Sequence, residues 1–184
     1  MRRRLLSLLY AGCLLAGFVL PVATAQAQSV SEAAVKAGFV YNFIKFTQWP
    51  VQREGMPIRL CAVSAQPLDG QLSLLQGRSV GSRVIDVRLA TPAADWRQCD
   101  VLFLGEEDAD RLYLLPSRLG QAPVLTLGDL PGFVDAGGMI GLRVEASRVR
   151  FDVNLGTAVA GIKGMIAPIR PRRPPSGRVR LALW

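Results

Sequence analysis

Histidine is absent from all 184 residues of the chain. The absence excludes serine and cysteine hydrolases that use a histidine base, and metal sites that depend on imidazole ligands. Nucleotide-binding motifs of the Gly-x-Gly-x-x-Gly or Walker type are missing as well. Chemistry that uses carboxylates alone stays open. The composition therefore disfavours an enzyme, and we predict no cofactor.

A basic fold is also missing, although the formal net charge is +8. Eight of the 22 basic residues lie at the chain ends, which leaves 14 to balance 14 acidic residues between positions 32 and 169. The basic residues at the ends are Arg2, Arg3 and Arg4, and then Arg170, Arg172, Arg173, Arg178 and Arg180. A nucleic-acid-binding domain would carry its charge on the folded surface, so we expect no nucleic-acid partner.

The first residues have the pattern of an export signal. A basic start is followed by an apolar stretch over residues 5–20 and by small residues suited to cleavage between positions 23 and 27. The stretch is short for a transmembrane anchor and lacks a charged flank. We predict a signal peptide over residues 1–27, and hence an exported protein.

Cysteine is scarce, and Cys61 and Cys99 are the two that remain after the predicted signal peptide is removed. An even count in an exported protein favours a disulfide. Cys61 lies in one predicted strand and Cys99 directly precedes another, so their Cα atoms could approach to the required ~6 Å. A buried staple is the favoured interpretation, and an exposed redox switch is the alternative.

The remaining chain, residues 28–169, alternates helix and strand patterns and predicts one α/β domain. Ser29 and Glu32 have the spacing of a capping box, which starts a helix at Val30, and Pro50 ends it. Strand patterns follow at 58–63, 84–87, 101–104 and 124–127, with helical patterns at 68–75 and 106–115. This alternation predicts a mostly parallel sheet flanked by helices on both faces.

The pattern changes in the C-terminal third. Residues 139–144 and 149–153 predict an antiparallel hairpin. Asn154 can cap a final helix with an apolar stripe formed by Leu155, Val159, Ile162 and Ile166. Residues 170–184, rich in proline and arginine, predict a disordered tail. Its arginines are either a solubilising charge or a weak contact to anionic lipid headgroups.

Two groups of residues allow a ligand as well as a structural interpretation. Asp95, Asp100 and the acids between 106 and 110 match no calcium-binding loop, and they favour a helix start with a solvated face. The glycines of 128–132 and 137–138 follow a predicted strand. We interpret them as turns, and a small ligand at the strand ends remains the alternative.

The segment 36–50 concentrates five aromatic side chains in fifteen residues: Phe39, Tyr41, Phe43, Phe46 and Trp49. Val35, Phe39, Phe43 and Phe46 recur at helical spacing, and Val40 and Ile44 widen this apolar stripe, which predicts the face that packs on the core. Tyr41 and Trp49 point away from this face. Since tyrosine and tryptophan are favoured where one side of a ring is buried and the other contacts a partner, both are candidates for a groove or partner surface.

This segment, Lys-Ala-Gly-Phe-Val-Tyr-Asn-Phe-Ile-Lys-Phe-Thr-Gln-Trp-Pro, resembles the opening motif of the YfiR-like periplasmic proteins. Further matches follow in order at Ile58–Val63, Cys99–Leu104, Val124–Asp129, Gly137–Ile140 and Val149–Asn154. Together they cover roughly residues 34–166. The resemblance assigns the structural disulfide to Cys61 and Cys99. The second cysteine pair of some members is absent, and Asp100 stands where the family usually has histidine.

The resemblance implies a periplasmic, non-enzymatic regulator. Such a protein represses a membrane-bound diguanylate cyclase by acting on its periplasmic sensor region, and it thereby lowers cyclic-di-GMP and biofilm formation. A homodimer is possible. The alternative function is a periplasmic small-molecule binding module that feeds a membrane sensor.

Overall fold

The structure is a computed structural model that describes residues 30–49, 53, 55–90, 95–156 and 178–181. The predicted signal peptide lies outside the described residues. So does most of the predicted final helix, of which Leu155 and Gly156 form the described first turn. The predicted tail is described only at 178–181.

An eight-stranded sheet forms the centre of the protein, in the order β2-β3-β1-β4-β5-β6-β7-β8. Four adjacent pairs in the middle, from β3 to β6, are parallel. The pairs β2–β3, β6–β7 and β7–β8 are antiparallel. The strands are β1 (Ile58–Ala62), β2 (Ser79–Val80), β3 (Arg83–Leu89), β4 (Val101–Leu104), β5 (Leu125–Gly128), β6 (Ile140–Glu145), β7 (Arg148–Asn154) and β8 (Arg178–Leu181). The predicted parallel sheet with a C-terminal hairpin is confirmed.

Helical segments cover both faces of the sheet, as predicted. Helix α1 (Glu32–Phe46) and the 3-10 turn Gln71–Leu75 pack on one face with Val101 and Phe103. Helix α2 (Leu115–Leu119), with other 3-10 segments, packs on the opposite face with Leu102 and Leu104. All four β4 side chains are fully buried. This explains the uninterrupted apolar run, because a central parallel strand is covered on both faces.

The predicted helix 106–115 is a 3-10 segment, Glu106–Leu114, which leads directly into α2. Asp108 leaves helical backbone angles, and its buried carboxylate accepts a hydrogen bond from Gly105 N at 3.0 Å. A second bond joins Asp108 to Arg111 at 2.7 Å. The segment therefore winds more tightly than an α-helix, because the Asp108 carboxylate bonds back to Gly105 at the end of β4.

Helix α1 differs from its prediction in its start and in its buried face. Ser31 is the N-cap, and its hydroxyl accepts a hydrogen bond from Ala34 N at 3.2 Å; the predicted cap, Ser29, lies outside the described residues. The buried residues are Ala33, Lys36, Ala37, Val40 and Ile44. The buried face thus combines two alanines, two larger aliphatic side chains and one lysine.

The predicted apolar stripe of α1 is right for Val40 and Ile44, which are fully buried, and wrong for Val35 and Phe46. Phe46 is 68% exposed and Val35 is 36% exposed. Phe39 and Phe43 flank the core and contact Phe151 of β7 with ring centroids 6.0 and 5.0 Å away. Aromatic pairs at such distances add to the stability gained by burial alone.

Part of the predicted disordered tail is a strand. Residues 178–181 form β8 and pair antiparallel with β7, with Val153 opposite Val179. The Arg-Val-Arg-Leu sequence alternates with the period of a strand. Without β8, the seven-residue β7 would present an open edge of unpaired backbone groups, which folded proteins avoid.

Candidate functional site

A disulfide joins Cys61 in β1 to Cys99, two residues before β4. The two Cα atoms lie 5.9 Å apart, and both residues are only 5% exposed. The bond lies in the core beside the α2 face of the sheet, next to Trp96 and Leu102. A reductant in solvent has little access to it, which favours a structural staple.

A buried ion pair connects α1 to the carboxyl end of β5. Lys36 Nζ lies 2.7 and 2.9 Å from the two carboxylate oxygens of Asp129, and 2.5 Å from Glu32 Oε1. Lys36 is 5% exposed and Asp129 is 7% exposed, which is rare for these residue types unless they are paired. The pair brings together two motifs that are 93 positions apart in the sequence.

Burial dominates the electrostatics at the acidic side of this pair. It raises the pKa of Asp129 above its ordinary 3.8, although the hydrogen bond from Lys36 acts in the opposite direction. Burial acts to lower the pKa of Lys36, but the bonds and charges of Asp129 and Glu32 outweigh it, so this pKa is raised from 10.5. The hydrogen bond and the charge of Lys36 thus favour the ionised form of the buried carboxylate.

A pocket of about 460 Å³ opens beside the pair. It lies at the carboxyl ends of β4 and β5, the edge at which open α/β sheets bind ligands. Its walls come from the start of α1, the turn after β5 and strand β6. The lining residues include Glu32, Lys36, Glu106, Asp129, Leu130, Phe133, Asp135, Leu142, Arg143 and Asp152. Of the two candidate glycine turns of the sequence, the first contributes residues 129–132 to this lining, whereas Gly137 and Gly138 do not line the pocket.

Two glycines allow Phe133 to form part of the pocket wall. A Cβ atom at Gly128 would lie 2.3 Å from Phe133 Cδ2, and one at Gly138 would lie 2.2 Å from Phe133 Cε1. No side chain fits at such distances. The ring, which is 1% exposed, is therefore sandwiched between two bare backbone segments.

We predict that Gly138→Ala destabilises the fold by about 1–3 kcal/mol, because the new methyl group overlaps the Phe133 ring. Gly38→Ala is the matched control. It lies in the exposed face of α1 with nothing within 4 Å of its Cβ position, so it should stabilise by up to about 1 kcal/mol. Urea unfolding measures both values. Equal effects of the two substitutions would contradict the packing at Phe133.

The predicted partner residue Tyr41 lies in the second half of α1 and Trp49 lies three residues beyond its end; both are half-buried, and the ring of each contacts an arginine. The guanidinium of Arg78 lies 4.8 Å from the centre of the Tyr41 ring, and that of Arg83 lies 5.7 Å from the Trp49 ring. Tyr41 Oη donates to Ser79 O at 2.9 Å, at the short edge strand β2. We call Tyr41, Trp49, Arg78 and Arg83 the aromatic–arginine edge.

Among the described residues next to this edge, basic side chains outnumber the one buried acid that they contact. Arg53, Arg59 and Arg83 converge on the carboxylate of Asp100, which is 4% exposed. Asp100 also accepts a hydrogen bond from Arg59 N at 2.9 Å. Burial lowers the pKa of Arg83, and the Asp100 charge acts against that shift. Three guanidinium groups thus face one carboxylate.

The acidic residues singled out in the sequence do not form one cluster. Asp100 lies at the amino end of β4, whereas Glu106 and Asp108 follow its carboxyl end. The prediction of a solvated face is wrong for Asp100 and Asp108, because both are buried and paired. In the described part of the chain, no group of three or more cysteine or acidic side chains is placed to hold a metal ion.

Sequence reasoning missed the Lys36–Asp129 pair, although the alternative of a small ligand at the strand ends named the turn 128–132 that borders the pocket. A signal for the pair was present, since Lys36 interrupts the apolar face formed by Ala33, Ala37 and Val40. Asp129 directly follows a wholly buried strand, β5, as a second polar residue at a core boundary. The pairing itself depends on how α1 crosses the sheet, which no local pattern fixes.

The comparison with protein families matches the part of the chain that carries these sites. Among the helices of the described residues, none is both long and apolar enough to cross a membrane. No curated protein matches the chain. A protein-family model described as YfiR/HmsC-like matches residues 33–161, which include the ion pair, the disulfide and the aromatic–arginine edge. The chain therefore belongs to the YfiR/HmsC-like family.

Proposed function

We propose that the protein is a periplasmic, non-enzymatic regulator that restrains a membrane-bound diguanylate cyclase by binding its periplasmic sensor region. Family membership supports a periplasmic regulator of diguanylate cyclase signalling. The predicted export signal and the absence of histidine are consistent with it. The result of such restraint is a lower level of cyclic-di-GMP.

The observation that carries the proposal is that three residues of the aromatic–arginine edge keep accessible surface, Arg78 being exposed and Tyr41 and Trp49 partly buried, over the buried Arg83. The segment 36–50 therefore does not bury all its aromatic rings in the core. Tyrosine, tryptophan and arginine are the residue types that protein interfaces favour most. A surface made of all three, next to an excess of positive charge, fits a partner with acidic and apolar side chains.

The shape of the edge also favours a protein partner. Strand β2 is only two residues long and ends the sheet, so the edge offers side chains more than backbone for pairing. Phe46, 68% exposed, ends α1 three positions before Trp49 and adds apolar area to the same end of the helix. A homodimer through this or another surface is a further part of the proposal.

We predict that Arg78→Glu weakens binding to the purified periplasmic sensor region of the cyclase by about tenfold or more. Arg78 is exposed, so the substitution should leave the fold intact, but it places an acid where we expect an acidic partner. Surface plasmon resonance with the immobilised sensor region measures the dissociation constant.

Arg148→Glu is the charge-matched control. Arg148 is also exposed, and it lies at the β6–β7 turn, on the far side of the sheet from β2. The affinity of the Arg148→Glu variant for the sensor region should equal that of the unmodified protein. If Arg78→Glu binds as tightly as Arg148→Glu, the aromatic–arginine edge is not the partner surface.

A further inference from the structure

The pocket beside the Lys36–Asp129 pair has an apolar floor and an acidic rim. Leu130, Phe133 and Leu142 form the floor and are between 1% and 5% exposed. The carboxylates of Glu32, Glu106 and Asp135 lie at the rim and are exposed to solvent. The volume of about 460 Å³ is in the range that binds small organic molecules.

Among the described residues, the charges that line the pocket sum to −3. Five acidic residues face two basic ones, Lys36 and Arg143; the acids are Glu32, Glu106, Asp129, Asp135 and Asp152. Carboxylates surrounded by low-dielectric walls focus a negative potential into the cavity and attract cations. A ligand is therefore expected to carry positive charge.

Both basic residues already have carboxylate partners. Lys36 contacts Asp129 and Glu32 at 2.5–2.9 Å. Arg143 donates to Asp152 at 3.0 Å and to Glu145 at 2.8 Å. An anionic ligand would have to displace these contacts and to enter a negative field. The pocket therefore disfavours anions.

The apolar floor of the pocket favours an organic cation over a metal ion. A divalent ion needs several oxygen ligands converging at 2.0–2.6 Å, and the described residues offer no such group. An organic cation can instead bury its apolar part against Leu130 and Phe133 while its ammonium group remains near the rim. Burial of this kind strengthens binding in proportion to the apolar area removed from water.

We propose that this pocket binds a small organic cation, a protonated amine that carries an apolar group. The site is distinct from the aromatic–arginine edge, which lies at the other end of α1. The proposal does not depend on the cyclase as partner. It gives the protein a means to sense amine-bearing compounds outside the cytoplasmic membrane.

Isothermal titration calorimetry on the purified protein tests this proposal with three primary amines of increasing apolar size: butylamine, 2-phenylethylamine and tryptamine. We expect saturable binding with one site, tighter for the larger amines and weaker at high salt because the rim charges are screened. The carboxylate 3-phenylpropionate, similar in size to 2-phenylethylamine, should not bind. Failure of all three amines, or equal binding of the carboxylate, would overturn the proposal.

Glu106→Gln and Glu107→Gln form a matched pair. Glu106 lines the pocket, whereas its neighbour Glu107 does not, and both are exposed. Glu106→Gln should weaken amine binding about two- to fivefold, as expected for one partly solvated charge, while Glu107→Gln should leave it unchanged. Equal affinities of the two variants would place the amine elsewhere. No cyclase is present in the titration, so its failure leaves the regulator proposal intact.

Discussion

Replacing Lys36 by methionine is expected to destabilise the protein by about 3–5 kcal/mol near neutral pH, because the substitution leaves a buried carboxylate without its cation. Methionine keeps the length and apolar stem of lysine, so packing on Ala33 and Val40 should change little. Asp129 then holds its charge at 7% exposure without the 2.7 and 2.9 Å contacts. Urea unfolding of the variant measures the loss.

The loss should shrink in acid. Burial already raises the folded-state pKa of Asp129 above 3.8, and removal of Lys36 removes the interaction that opposes this rise. An acid whose folded pKa is raised loses stability as the pH rises from its unfolded value through its folded value. The variant should therefore come closest to the unmodified protein in acid, once the pH has fallen through the raised folded-state pKa of Asp129 and the carboxylate is protonated, and it should differ most near neutral pH.

Two further variants serve as controls for the pair. Glu32, the outer partner of Lys36, has a side chain that is 55% exposed, so Glu32→Gln should cost at most about 1 kcal/mol. The double substitution Lys36→Met with Asp129→Leu should recover part of the stability, because no charge then remains buried. A cost for Lys36→Met no larger than that for Glu32→Gln would show that the pair is not needed for the fold.

Removal of the disulfide is the second large effect that we expect. Replacing Cys61 and Cys99 together by alanine should cost about 4 kcal/mol, since the bond closes a loop of 38 positions and restricts the unfolded chain. Alanine avoids a buried hydroxyl in the core beside Trp96. Thermal and urea unfolding of the double variant measure the change.

Thiol labelling separates a staple from a switch. At 5% exposure, neither sulfur should be reduced by mild reductant in the folded protein, whereas both should react after unfolding with reductant present. Two free thiols in the denatured, non-reduced protein would contradict the bond itself. Rapid reduction in the folded state, with a change in partner affinity, would favour the redox switch.

The sheet could be predicted from sequence because its signals are local. The run Val101–Leu104 is apolar at every position, and its four residues form β4 with the predicted bounds. The hairpin β6–β7 follows from two strand patterns separated by a short turn. In both cases the sequence pattern indicates whether one or both faces of the strand are buried, and the two-residue period of a strand fixes which residues share a face.

Features that depend on how elements meet could not be predicted in this way. The spacing of apolar residues in α1 predicted Val40 and Ile44 correctly as core positions, but it could not show that Phe46 is exposed at the end of the helix. The Phe133 sandwich depends on two glycines that meet only in the folded chain. Strand β8 has only four residues, too few for a sequence pattern to distinguish a strand from a disordered tail. Its formation depends on the open edge of β7, which exists only in the folded protein.

The central claim is that the protein restrains a diguanylate cyclase through the aromatic–arginine edge. The most direct test measures cyclic-di-GMP in cells that contain the cyclase, after deletion of this protein and after its return as the unmodified chain or as Arg78→Glu. We predict that deletion raises cyclic-di-GMP, that the unmodified chain restores the low level, and that Arg78→Glu, exported in equal amount, does not. Unchanged cyclic-di-GMP on deletion, or full restoration by Arg78→Glu, would contradict the account.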